Sequence, residues 1–183
     1  RRSTADPLPY YRENILGTQY ILHASLTSGV RHLVMASTGS VYGNRQGEEP
    51  LNEDRTPPDP QNPYSLTKLV AERMLGFVDA RRINLTALRI FTTYGPRLRP
   101  DMGIARFFSH IWQGRPVEIF DTPRSVRDYL YIDDCVRGIT RTLGLKPGYR
   151  ILNLGSGQAT TPVTLVNRIA QLVKKPVTIK WIP

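Results

Sequence analysis

The chain is short of cysteine, of long apolar runs and of lysine, and each shortage removes a class of function. Cys135 is the only cysteine among 183 residues, so neither an internal disulfide nor a thiolate metal site is expected, and a reducing cytoplasm is the compartment this suits. No stretch approaches the roughly 20 consecutive apolar residues of a membrane span, and no charged-then-apolar leader opens the sequence, so no membrane partner is expected. Of 25 basic residues only 5 are lysine, set with 20 arginines against 15 acids for a net charge of +10. That charge is scattered. Its longest clusters are the pairs Arg1–Arg2, Arg81–Arg82 and Lys174–Lys175, which do not make a nucleic-acid patch. Arginines that clamp the phosphates of a small anionic substrate are another use of the same charge. A dinucleotide fingerprint is also missing: Gly39, Gly43 and Gly47 are spaced by four and do not open a helix. "NLGSGQ" (153–158) follows a strand pattern but holds two glycines only. It reads as a tight strand-to-helix turn, with a phosphate cradle as the alternative.

What is present is an alternation of strand and helix patterns. A helix is expected from Pro9 to Ser28, with Tyr11, Ile15, Leu22 and Leu26 on one face and Gly29 closing it. "RHLVMAS" (31–37) and "LTALRIF" (85–91) have strand character, and "NPYSLTKLVAERML" opens a helix running to about Arg82. Between them, 43–63 carries five prolines and little apolar pattern, so it is a long loop of the kind that is often functional. A Gly/Pro/Arg-rich loop, "TTYGPRLRPDMG" (92–103), leads to a helix "IARFFSHIWQG" whose aromatics are expected in the core. Strands "VEIF" and "DYLYI" flank "DTPRSV". A helix from Asp133 to about Gly144, a strand "RILNLG", a helix "TPVTLVNRIAQLVKK" and a closing "VTIKWIP" follow. Such alternation predicts an α/β fold with a largely parallel sheet.

Two stretches could carry chemistry. Of nine tyrosines only Tyr64 has a lysine four residues on, Lys68, and residues four apart share a helix face. Ionising a phenol of pKa ~10 at pH 7 costs about 4 kcal/mol. An ammonium ~4 Å away at an effective dielectric of ~20 returns a similar amount, so the pair could form a base near neutrality. A packed tyrosine beside a solvated lysine is the other reading of the same residues. In "MASTGSVYG" (35–43), a strand ending in Ser37, Thr38 and Ser40 places hydroxyls at the carboxyl edge of a parallel sheet, where α/β ligands bind. The alternative there is a polar turn with ordinary capping.

Together these stretches resemble the extended short-chain dehydrogenase/reductases, specifically the NAD-dependent nucleotide-sugar epimerase/dehydratase group. "DPLPYYRENILGTQYILHAS", "VMASTGSVYG", "NPYSLTKLVAE", "LRIFTTYGPRLRPD", "RDYLYIDDCVRGI" and "ILNLGSG" match that family's motifs in order over essentially the whole chain. The resemblance implies the C-terminal part of a Rossmann-like doubly wound parallel sheet plus a small substrate-binding lobe. The Rossmann-like part would be about 1–93 with 132–160, and the substrate-binding part about 94–131 with 161–183. It implies NAD as cofactor, with Tyr64 as base, Lys68 as its electrostatic partner on the nicotinamide ribose and Thr38 in the same proton network. Ser37 and Ile90 would also lie against the cofactor. Thr38, Thr92, Arg99, Phe120 and Arg127 would touch a nucleotide-sugar substrate, Arg127 at the diphosphate and Phe120 at the base. Arg127 as a surface salt bridge to Asp128 or Asp133 is its other reading.

Family 4,6-dehydratases carry an acidic pair after the threonine and sugar-acid decarboxylases a glutamate; this chain has Gly39 and Ser40. Epimerisation at carbon 4 through a 4-keto sugar needs only the redox pair and is therefore preferred. "FTTYGPRLRPDM" resembles the uronic-acid 4-epimerase branch, while "DTPRSV" departs from the family's glycine-rich turn. A dehydratase or reductase of the same fold, and a non-catalytic sensor of dinucleotide or sugar nucleotide, are the alternatives. A homodimer is expected by analogy. The family's glycine-rich loop and its final segment have no counterpart in this sequence, which implies a fragment that is poorly active or inactive alone.

Overall fold

A computed structural model describes residues 2–44, 49–120 and 125–182; Arg1, Gly47 and the 121–124 part of "DTPRSV" lie outside them. The chain divides into two compact units, Arg1–Phe91 with Asp133–Leu154, and Thr92–Ile132 with Gly155–Pro183.

Unit 1 is a parallel sheet with helices packed on it. β1 (His32–Thr38), β2 (Asn84–Ile90) and β6 (Tyr149–Leu154) lie in the order β1-β2-β6. The register sets Ser37 beside Arg89 and Thr38 beside Ile90, and on the other side Ile90 beside Leu154. β2 is the central strand, and its residues Leu85–Arg89 are all buried. A run buried on both faces is what a parallel sheet covered by helices requires.

The N-terminal helix is not one regular helix. α1 (Arg2–Ala5) and α2 (Leu8–Tyr11) precede a π-helical segment, Arg12–Leu16, which continues as α3 (Gly17–Thr27). The inserted residue shifts the helix face. Tyr11 is therefore exposed, against the sequence expectation, and Tyr10 packs instead, its ring edge-on to Tyr64 with centroids 6.1 Å apart. Beyond the π segment Thr18, Leu22 and Ser25 face inward or lie half-buried, and Gly29 closes the helix at φ +69°.

α4 (Pro63–Gly76) begins at Asn62, whose side chain accepts the Ser65 N–H at 3.0 Å, with Pro63 at the first helical position. Cap and proline together fix this helix start. The helix stops at Gly76, six residues short of the expected Arg82, because Phe77 turns out to solvent and Asp79 folds back onto the Arg81 N–H at 3.0 Å. The long loop is tied down rather than loose. The Asp59 N–H donates to the Val41 carbonyl at 2.8 Å, and the Asn153 side chain donates to the Leu51 carbonyl at 2.8 Å. Gly43 sits at φ +74°, where a Cβ would meet the Asp59 carbonyl oxygen at 2.2 Å.

In unit 2, β3 (Thr92–Tyr94) pairs in parallel with β5 (Arg127–Tyr131), which pairs antiparallel with β7 (Ala159–Thr160). β4 (Val117–Ile119) pairs in parallel with β8 (Ile179–Trp181). The stretch 92–103, expected to be loop throughout, thus opens with a three-residue strand. α5 (Gly103–Trp112) and α7 (Pro162–Val173) enclose a core of Ile111, Val117, Ile119, Val166, Ile169 and Ala170. Phe107 packs on that core, but Phe108 and Trp112 do not: they stack on each other in solvent at 6.0 Å, with the Lys175 ammonium 4.5 Å over the Trp112 ring. Among the described residues no helix is long and apolar enough to cross a membrane. α6 (Ile132–Thr142) joins β5 to the strand β6.

Candidate active site

The carboxyl end of β1 and the first two turns of α4 bring the candidate chemistry of unit 1 together. Thr38 ends β1 almost buried; its hydroxyl oxygen accepts the Ser40 N–H at 3.2 Å and caps a short 3-10 turn, Gly39–Tyr42. Tyr64 stands half-buried in the first turn of α4. One turn on, the Lys68 ammonium donates to the Ala36 carbonyl of β1 at 3.0 Å. Removal from water pulls the Lys68 amine below its ordinary value, because burial penalises the charged form. An ammonium has three donors, and among the described residues only the Ala36 carbonyl is bonded to this one. Two N–H groups thus remain for a ligand with hydroxyl oxygens, as a ribose has. That is the fit of these residues to a nicotinamide cofactor. Ile90 lies beside Thr38 by strand register.

Ser37 is not a free hydroxyl. It donates to the Glu72 carboxylate at 2.5 Å, and Arg89 closes on the same carboxylate with Nε at 3.1 Å and Nη2 at 2.8 Å. Burial alone pulls the Arg89 guanidinium down, but its bonds to Glu72 and Tyr42 more than offset this and hold it above its ordinary value. Tyr42 donates to the Asn153 side chain at 2.8 Å, and the Glu53 carboxylate accepts the Asn153 N–H at 2.5 Å, so the network reaches the long loop. Sequence reasoning assigned no role to Glu72 and Arg89. The available signals were a glutamate at i+4 from Lys68 and a lone charged residue, Arg89, inside "LTALRIF".

The remaining candidates belong to unit 2. Thr92 starts β3 opposite Tyr129, half-buried. Arg99 is exposed and paired with Asp101 at 3.4 Å. Phe120 follows β4, 44% exposed, with the Arg106 guanidinium 5.9 Å from its ring. Arg127 opens β5 with its side chain exposed. The glycine turn after β6 holds no room for a phosphate: the Ser156 N–H and hydroxyl and the Gly157 N–H all donate to the Asp128 carboxylate, at 2.7, 2.8 and 2.8 Å. A Cβ on Gly155 would meet the same carboxylate at 2.5 Å. The tight-turn reading is the one the structure bears out.

A helix-covered parallel sheet, with a helix lysine tied to the end of one strand, is an α/β scaffold of the dinucleotide-binding type. The NAD dependent epimerase/dehydratase family matches residues 1–155, and the chain belongs to it. It is 37% identical over 177 residues to a UDP-glucuronate 4-epimerase of Thermodesulfobacterium geofontis, covering 96% of this chain and 53% of that protein. Among solved structures it is similar to MoeE5 in complex with UDP-glucose and NAD, at TM-score 0.88 and 37% identity, covering all of this chain (100%) and 61% of that one. It is also similar to the UDP-glucuronic acid 4-epimerase of Bacillus cereus in complex with UDP-glucuronic acid and NAD, at TM-score 0.86 and 32% identity, over 97% of this chain and 56% of that one. The chain spans about half the length of the curated relatives it matches.

Proposed function

We propose that the protein interconverts the carbon-4 epimers of a nucleotide-diphosphate sugar, a UDP-uronic acid, with NAD bound. The observation that carries this is the Lys68 ammonium, desolvated and tied to the end of β1 one helical turn from Tyr64, with two donors uncommitted. Bound NAD would supply the acceptor, and then the donor, of a hydride. Tyr64 takes the proton of the sugar 4-hydroxyl, and Thr38, whose oxygen already accepts from Ser40, has its own O–H left to share in that transfer. Lys68 contributes its charge beside the phenol and its free donors to the ribose. Ser37 and Ile90 line the cofactor side. The resulting 4-keto sugar turns over, and Tyr64 returns the proton when the opposite epimer forms. Arg127 grips the diphosphate and Phe120 stacks on the base; Thr92 and Arg99 supply donors to the sugar carboxylate. The residues about 1–93 and 132–160 serve the cofactor and the rest the sugar nucleotide. The protein works as a cytoplasmic homodimer.

One observation favours epimerisation over dehydration. A Cβ on Gly39 would come within 3.2 Å of the Phe91 ring, so an acid at the position after Thr38 would need that ring to give way by a few tenths of an ångström. The test is product analysis with UDP-glucuronate and NAD on the natural protein carrying this sequence. An isomer of unchanged mass is expected; a keto-deoxy sugar lighter by one water would overturn the reading in favour of a dehydratase. Tyr64→Phe should lower turnover by about 10²–10⁴-fold while sugar-nucleotide binding persists. A protein that binds the sugar nucleotide but never turns it over is instead a sensor.

A further inference from the structure

Tyr64, Lys68 and Glu72 recur at four-residue spacing and form one stripe along α4. The first two are candidate chemistry; the third is fully buried, at 0% exposure, with its partner Arg89 at 2%. Glu72 gathers three strands on itself. Its carboxylate accepts from Ser37 of β1 and from Arg89 of β2, and its main-chain carbonyl accepts the Tyr149 hydroxyl of β6 at 2.7 Å. Arg89 lies over the Tyr42 ring at 4.7 Å, and its Nη1 has no hydrogen-bond partner among the described residues. For stability alone this is a poor arrangement. Desolvating two charges offsets most of their attraction, and an apolar pair of similar volume is often as stable or more so. What an apolar pair cannot do is fix a direction. Hydrogen bonds from one carboxylate to two strands set the rotation and height of α4 against the end of β1.

We propose that the Glu72–Arg89 pair is a positioning device: through Ser37, one residue before Thr38, it rivets α4 to the end of β1 and so fixes where Lys68 and Tyr64 stand against that strand end. This rests on the reading of Tyr64 and Lys68 given above. Two ties then join the helix to the strand, Lys68 to Ala36 and Glu72 to Ser37, one turn apart on α4 and one residue apart on β1. With the second tie gone, the first must hold the helix alone, and water gains access to the ammonium. The titratable groups that packed elements bring to this stripe are Tyr10 from α2, Tyr42 from the 3-10 turn, Arg89 from β2 and Tyr149 from β6. β1 brings only its carbonyl and the Ser37 hydroxyl. Replacing Glu72 and Arg89 together leaves the net charge of this set unchanged.

The experiment is the double substitution Glu72→Leu with Arg89→Met, read by thermal melting and by NMR titration of the ¹³C-methylated lysines, with Lys68→Arg identifying the resonance. Burial lowers the Lys68 amine, so a loosened clamp must raise it. The expected result is a melting temperature near the parent's and a proton affinity of Lys68 raised at least about threefold. A double variant that melts like the parent with an unmoved Lys68 midpoint overturns the proposal, since the pair would then only fill the core. Should the double variant fail to fold, Ser37→Ala decides: it deletes one hydroxyl from the same tie. A raised Lys68 midpoint supports the clamp and an unmoved one overturns it. Because this readout needs no turnover, it fails independently of Tyr64→Phe. A moved midpoint with full Tyr64→Phe activity would leave the clamp standing and sink the catalytic reading.

Discussion

The two units bury different chemistry. Every polar or charged residue that is buried among the described residues lies in unit 1: Ser3, Ser25, Ser37, Thr38, Ser65, Thr67, Glu72, Thr86, Arg89 and Thr142. The core of unit 2 is Ile111, Val117, Ile119, Val166, Ile169 and Ala170, aliphatic throughout. An aliphatic core is held by volume and tolerates small rearrangement. A core with a hydrogen-bonded ion pair has one arrangement that satisfies its groups, and others that leave a charge unpaired. The candidate acid–base residues are in the unit whose interior is directional.

Arg89→Met alone should give the largest effect on stability. It strands the Glu72 carboxylate, and urea unfolding is expected to show a loss of about 3–5 kcal/mol. A loss below about 1 kcal/mol would erase the contrast between the cores. Ile111→Ala in unit 2 should cost about 2–5 kcal/mol through lost volume, and that loss should not depend on pH. The helix caps sharpen the comparison because they are alike in both units. Asn62 and Thr161 each precede a proline and accept the N–H three residues on, at 3.0 and 3.1 Å. Alanine at either should cost about 1 kcal/mol by the same assay; unequal losses would show that the core around a cap matters more than the cap.

The smallest effect is alkaline. Burial, then the charge of Glu72, raises the Tyr149 phenol above its ordinary 10.0. Above pH 10 the unfolded chain loses a proton that the folded chain keeps, so this contribution is whole below pH 10 and falls away as pH rises through the raised value. Tyr149→Phe should lose about 0.5–1.5 kcal/mol at neutral pH with its hydrogen bond, and the gap to the parent should shrink in melts above pH 10.

The alternation of apolar and periodic stretches was enough to locate β1, β2, β6, α5, α6 and α7. β3 and β7 could not be found that way, since three and two residues cannot display a period. The sequence does not mark the end of α4, because "FVDARR" has no breaker other than Gly76 before it and Phe77 gives no sequence sign that it leaves the core. Tyr64 and Lys68 were visible as neighbours in sequence. Glu72 was not assigned a role because its partners are Ser37 and Arg89, 35 and 17 residues away, and only the strand register brings them to one point. "NLGSGQ" was resolved by Asp128, which is 28 residues upstream of the Ser156 amide it occupies.

The π-helical segment gives the N-terminal helix one place where a residue can be lost without disturbing the rest. Deleting one residue within Arg12–Leu16 would let the segment relax to an ordinary α-helix, at no expense in backbone bonding. Because the i→i+5 closure absorbs the extra residue in place, Tyr10 and Leu22 would then stand 11 residues apart, close to three α-helical turns, and Tyr10 would stay against the Tyr64 ring. A one-codon deletion there leaves the aromatic neighbour of the base where it was, whereas a deletion in the regular helix Gly17–Thr27, which has no spare residue to give up, turns everything upstream by about 100°.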